Sequence, residues 1–323
     1  MRWKRRPDGS TWGDWGDDDR LGRLNTLTPE RVLEAVREVR VGKRFCLSLP
    51  LDYPGASVVA PHRKPPALGW VERGDGTVNH EFQARTVAPG ATDVMNDDYA
   101  TLYLQYSTQW DSFAHIGSLF DANGDGAPEV SYYNGIPDHD VAAAAVLGLQ
   151  GRGVLLDLRK HFGDGRTAVN FEMLERVMRD DRIDVRTGDF VLFHTGYATR
   201  LLEMGGKPDP ALVRTMCAVL DGNDARLIRW VDESGVVALI ADNLAVENPM
   251  TGRPESQYPK TGPFIPLHEL CLFKLGVMIG ELWYLAELAA WLGENARSSF
   301  LLTAPPLRLP GAVGSPVTPI ATV

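Results

Sequence analysis

Four short apolar runs, each closed by a group capable of chemistry, set the architecture of this chain. Gly153-Val154-Leu155-Leu156 runs into Asp157, and Phe190-Val191-Leu192-Phe193 runs into His194. Val236–Ile240 precedes Asp242-Asn243, and Gly276-Val277-Met278-Ile279-Gly280 ends at Glu281. Runs this short with no polar alternation read as buried strands. Between and after them the period changes. Asn170–Arg179 places Phe171, Leu174, Val177 and Met178 on one helical face, Ala225–Val231 is a short helix, and Leu285–Leu292 is another. His268 opens a helix-like run through Leu270, Leu272 and Phe273, and Phe300–Thr303 is a last strand. Strands alternating with helices from about residue 153 onward make the fold class α/β. Functional groups in such folds gather at strand ends and in the loops beyond them.

The first half is less regular. Thr28-Pro29-Glu30 is a helix start, with a threonine cap, a proline in the first turn and an acid beside it. That helix is expected to run to about Arg40, with Gly42 closing it, and Arg44–Leu51 is read as a strand. Residues 52–85 are rich in Pro and Gly and carry His62 and His80, which fits a long irregular segment. Asp121-Ala122-Asn123-Gly124-Asp125-Gly126 begins like a calcium loop, but Tyr132 occupies the position of the bidentate glutamate, so a turn is expected. Gly148, Gly151 and Gly153 precede a strand, the wrong context for a dinucleotide fingerprint. Glu247-Asn248-Pro249 reads as a turn, residues 251–266 as a loop, and the Pro- and Gly-rich C-terminal tail as a segment without a fold of its own. Residues 1–27, with Trp3, Trp12 and Trp15, form an arm expected to dock on its own domain or on a neighbouring subunit. Residues 28–323 are then a single domain.

Bulk properties exclude several classes. The net charge is −9 with no long basic run, which argues against nucleic acid. No apolar run of membrane-spanning length occurs. Cys46, Cys217 and Cys271 are far apart and include no CxxC pair, so reduced thiols and a cytoplasmic location are expected.

The densest set of reactive groups is Tyr103–His115, which contains Gln105, Thr108, Gln109, Trp110, Asp111, Phe113 and His115. Side chains on an extended chain repeat with period two. If the extension persists, Gln105, Gln109, Asp111 and His115 share a face. Asp111 and His115, together with His268 and Glu281, make a mixed imidazole–carboxylate set of the kind that suits Zn²⁺ or Mn²⁺. A half-exposed strand with a polar outer face is the plainer alternative.

Gln105–His115 resembles the signature His-x-Gly-Thr-His-x-Asp-x-Pro-x-His of the cyclase superfamily that includes bacterial kynurenine formamidase and isatin hydrolase. Thr108, Asp111 and His115 match the pattern; Gln105 and Gln109 replace its first two histidines, Ser107 its glycine and Phe113 its proline. Trp15-Gly16-Asp17-Asp18, Gly188–Leu192 with Thr195-Gly196, and His268 with Gly276-Val277 and Glu281 resemble further motifs in family order. The resemblance implies a mixed sheet or barrel-like core with surrounding helices, of swivelling β/β/α type. It also implies a metal-dependent hydrolase of an amide, formamide, lactam or lactone bond in a small, aromatic or cyclic substrate. By the same carry-over, Asp111, His268 and Glu281 would hold one divalent metal, Zn²⁺ or Mn²⁺, with Gln109 or His115 assisting. His115, His268 and Glu281 would be catalytic, and Gln105, Thr108, Trp110 and Phe113 would face substrate. A homodimer or homotetramer is expected. Two other readings stay open: a metal-free lyase, isomerase or cyclase using His115 and Glu281 as acid and base, and a non-catalytic binding protein.

Overall fold

The computed structural model describes residues 2–247 and 259–323; Asn248 and Pro249 of the expected turn and residues 251–258 of the expected loop lie outside them. Nine strands form one mixed sheet: β1 (Arg44–Cys46), β2 (Gln109–Asp111), β3 (Gln150–Asp157), β4 (Phe190–His194), β5 (Ala238–Ala241), β6 (Met278–Glu281), β7 (Ser299–Thr303), β8 (Gly314–Pro316) and β9 (Ile320–Thr322). Their order across the sheet is β1-β9-β7-β3-β4-β5-β6-β2-β8. The sheet curls into a half-barrel. The four chemistry-ended apolar runs are the adjacent strands β3 to β6, mutually parallel, while the flanking strands are antiparallel. They are apolar on both faces because both faces are covered: Val154, Leu156, Phe190, Val191, Leu192, Leu239 and Ile240 have no exposed surface. Each such side chain contributes about 1.5–3 kcal/mol relative to exposure.

The helices start where their caps sit. α1 (Pro29–Val36) follows Thr28; α2 (Phe171–Asp180) follows Asn170, whose side chain accepts from Met173 N at 3.0 Å. α3 (Ala225–Ser234) follows Asp224 and ends at Gly235 in the left-handed region, while α4 (Ala286–Glu294) leads to β7. α1 is shorter than its sequence pattern. Arg297 takes the Glu38 carbonyl at 2.6 Å, and Arg152 lies 3.4 Å from the Glu38 carboxylate, which ties this segment to the sheet. The Arg44–Leu51 strand likewise narrows to β1.

Two expectations are corrected outright. The C-terminal tail is structural: β8 pairs with β2, and β9 inserts between β1 and β7, satisfying edges that would otherwise expose unpaired backbone. The segment read as irregular contains ribbons, Ala67–Trp70 with Asp98–Thr101 and Phe82–Gln83 with Val94–Met95. The N-terminal arm packs on its own chain. Trp12 is fully buried, donates its indole N–H to the Phe273 carbonyl at 2.7 Å, and meets the Phe273 ring edge-on. Gly22 makes the close approach possible, since a Cβ there would lie 2.5 Å from the Gly276 backbone.

Candidate metal and acid–base centre

In the antiparallel β2–β6 pair, Gln109 faces Glu281 and Asp111 faces Ile279. Cross-strand partners share a sheet face, as do alternate residues along a strand. Gln109, Asp111 and Glu281 therefore look into one space. His268 enters it from the turn Pro266–His268, ahead of a π-helical segment, Glu269–Leu275. Ligand atoms of Asp111, His268 and Glu281 all lie within 4.8 Å of one another. All are buried: Asp111 is 0%, His268 2% and Glu281 3% exposed. The Gln109 amide nitrogen donates to Asp111 Oδ1 and Glu281 Oε2, each at 3.1 Å, and His268 Nε2 lies 3.2 Å from Glu281 Oε1.

A fifth member went unrecognised in the sequence. Glu247, 1% exposed, accepts from His268 N and meets His268 Nδ1, both at 2.9 Å, and accepts from Leu267 N at 3.1 Å. In sequence it is an acid at a turn, with no periodicity or spacing to single it out. Tertiary contacts place it: Glu247 bridges to Leu220, and Gly222 leaves the room, because a Cβ there would sit 2.1 Å from Glu247 Oε2.

Burial dominates the electrostatics. It pushes the Asp111 carboxyl above its ordinary range, and the neighbouring Glu281 adds to this while His115, His268 and Arg63 pull the other way. Burial alone would lower His268, but its bonds to Glu247 and Glu281 outweigh it and raise the imidazole to about 10. Burial opposes ionisation of Glu281 too, yet the His268 hydrogen bond and charge hold it below the usual range.

The shared face expected over Gln105–His115 extends only over Gln109 and Asp111. After Asp111 the chain turns, His115 N bonding Ser112 O at 3.0 Å, and this turn brings His115 Nε2 to 3.9 Å from Asp111 Oδ1. His115 is partly exposed, so it stands at the mouth of a buried cluster. Gln105 precedes the strand, with its side chain against Gly314, the register partner of Asp111.

Three residues expected to face substrate are committed elsewhere. Thr108 is fully buried, donating to Leu282 O at 2.5 Å and accepting from Leu49 N at 2.9 Å. Trp110 points to the opposite sheet face from its two neighbours and donates to Ala304 O at 2.8 Å. Phe113 packs on Tyr133 and His139 in the core. His194 and Asp242 lie one residue past the positions level with Glu281, so they fall on the other face. There His194 pairs with Asp157 at 2.9 Å, and Asp242 anchors the Thr195-Gly196 turn. His62 and His80 are exposed.

Among the described residues, two buried oxygens of the cluster, Asp111 Oδ2 and Gln109 Oε1, find no hydrogen-bond partner. Acceptors left bare beside two carboxylates and an imidazole fit a small divalent cation, whose preferred ligands are these O and N atoms. The sequence matches the family described as Putative cyclase over residues 47–248. The chain belongs to that family. A crystal structure described as a novel cyclase is 30% identical with a TM-score of 0.74, covering 97% of each chain. Isatin hydrolase A from Labrenzia aggregata, bound to benzyl benzoate, is 16% identical with a TM-score of 0.57, covering 92% of this chain and 98% of its own. The Ralstonia solanacearum enzyme is 15% identical with a TM-score of 0.58, covering 91% and 97%. At that identity these two share the fold. No curated protein matches the sequence. Among the described residues, no helix of this cyclase-family protein is long and apolar enough to cross a membrane.

Proposed function

We propose that this cyclase-family chain is a metal-dependent hydrolase of an amide, formamide, lactam or lactone bond in a small aromatic or cyclic substrate. The observation that carries this reading is the convergence of Asp111, His268 and Glu281 on one buried sheet face, with His115 beside Asp111 at its edge. The relatives solved as isatin hydrolases, one of them with benzyl benzoate, support the substrate class. Asp111, His268 and Glu281 would hold Zn²⁺ or Mn²⁺, with the Gln109 carbonyl oxygen as a further donor once its amide turns. A divalent cation held there would lower the pKa of water and polarise a carbonyl. The chain supplies the rest. Glu247 engages His268 Nδ1, which leaves Nε2 facing the carboxylates. His115 takes the proton of the attacking water and returns it to the leaving nitrogen or oxygen, the two-way transfer that an imidazole performs near neutral pH. The surrounding buried side chains keep bulk water out, which strengthens each of these interactions.

The test is turnover of a panel of arylformamides and lactones, with elemental analysis of protein purified without chelator. Asp111→Asn lowers metal content, and Asp111→Asn and His115→Ala each reduce kcat/KM by about 100-fold or more. Unchanged activity in both variants sinks the assignment. Full turnover by protein that contains no metal moves it to the acid–base reading with His115 and Glu281.

A further inference from the structure

Pro61-His62-Arg63-Lys64-Pro65-Pro66 sets three basic residues in a row in a chain of net charge −9. His62 and Lys64 are exposed, and Arg63 is half-buried. Arg63 Nη1 donates to the Gln105 carbonyl at 2.5 Å, and among the described residues this is the one hydrogen-bond partner of its guanidinium. The segment leading to Arg63 is stitched to the strand entrance. Leu49 N meets Thr108 Oγ1 at 2.9 Å, Ser107 Oγ donates to Pro50 O at 3.2 Å, and Gly55 N donates to Tyr106 OH at 3.0 Å. The guanidinium is held at Gln105, four residues ahead of Gln109. Its charge reaches inward and favours the ionised forms of Asp111 and Glu281. His115 and Arg63 are partly exposed groups whose charges act on the buried cluster.

An acidic substrate approaching this cluster meets Asp111, Glu281 and Glu247, all repulsive when ionised. A guanidinium presents five N–H donors in a planar fork that matches a carboxylate, and leaving most of them unmatched in a half-buried place costs free energy. We propose that Arg63 is the anion-recognition residue of this site: the substrate carries a carboxylate, held by the guanidinium fork while the bond to be broken lies against Asp111, His268 and Glu281. This deepens the hydrolase reading and rests on it for the position of the scissile bond. The main-chain carbonyl of Gln105 orients the guanidinium.

The experiment measures binding without turnover, using benzoate and its neutral isostere benzamide on the full chain by calorimetry. Wild type binds benzoate in preference to benzamide. Arg63→Gln weakens benzoate by about 10- to 100-fold, the usual worth of a charge-assisted pair, and benzamide by less than about threefold. Arg63→Lys keeps the charge without the fork and recovers part of the benzoate affinity. Wild type with no preference for benzoate overturns the proposal, as does an Arg63→Gln protein that loses both ligands in parallel, which is the mark of a purely structural role. The two readings fail separately. Turnover of neutral substrates alone, with no benzoate preference, sinks the Arg63 assignment and leaves the hydrolase. An Arg63-dependent benzoate preference in a protein that hydrolyses nothing does the reverse.

Discussion

Replacing Glu247 with Ala removes the acceptor of three buried donors at once: His268 N and Nδ1 at 2.9 Å and Leu267 N at 3.1 Å. An unmatched buried donor costs about 1–3 kcal/mol, and breaking a buried charged pair costs about 3–5 kcal/mol in all, so Glu247→Ala is expected to destabilise the metal-free protein by ~4 kcal/mol. Glu247→Gln is the informative control. Its amide oxygen can keep both His268 bonds at the Oε1 position and loses only the Leu267 bond, where its NH2 then opposes an N–H. About 1–2 kcal/mol follows. The same order is expected for metal affinity. With Glu247 gone the His268 ring loses the bond that fixes its Nδ1, and loss of such an outer partner weakens metal binding by about 10- to 100-fold. Urea unfolding of the metal-free variants and chelator competition for Zn²⁺ and Mn²⁺ read the two effects. Equal behaviour of the Ala and Gln variants in both assays would refute the reasoning, because only the number of matched donors distinguishes them.

Two further outcomes test other parts of the fold. Trp12→Ala opens a cavity under the N-terminal arm and strands the Phe273 carbonyl; it costs about 3–5 kcal/mol in chemical denaturation, whereas loss of a merely draped arm would cost almost nothing. His139 is buried against the Tyr133 carbonyl, and burial holds its imidazole down at about 4, below its ordinary 6.5. A folded pKa below the unfolded one means protonation favours unfolding. The stabilisation is therefore complete above pH 6.5 and lost as pH falls towards 4, by about 3 kcal/mol at 1.36 kcal/mol per unit. His139→Gln should flatten that acid limb in urea midpoints measured from pH 7 to 4; an unchanged slope assigns acid sensitivity to other groups.

The sequence by itself determined the α/β class and the positions of β3 to β6, because a strand covered on both faces must be apolar throughout, a pattern visible in one dimension. It also brought out Asp111, His115, His268 and Glu281, since these residues fit a family pattern that is written in linear order. Tertiary structure decided what local pattern does not encode. Period two says which residues alternate but not where a strand stops, so only the turn at Ser112–His115 shows how His115 returns to Asp111. The same parity that groups Gln109 with Asp111 sends Trp110 into the core. Edge pairing drew the Pro- and Gly-rich tail into the sheet as β8 and β9, a long-range satisfaction of backbone groups that no local propensity announces. Glu247 and Arg63 became legible last. One stands in a turn and the other in a basic, proline-flanked stretch, and each acquires its role only from the side chain that folding brings opposite it.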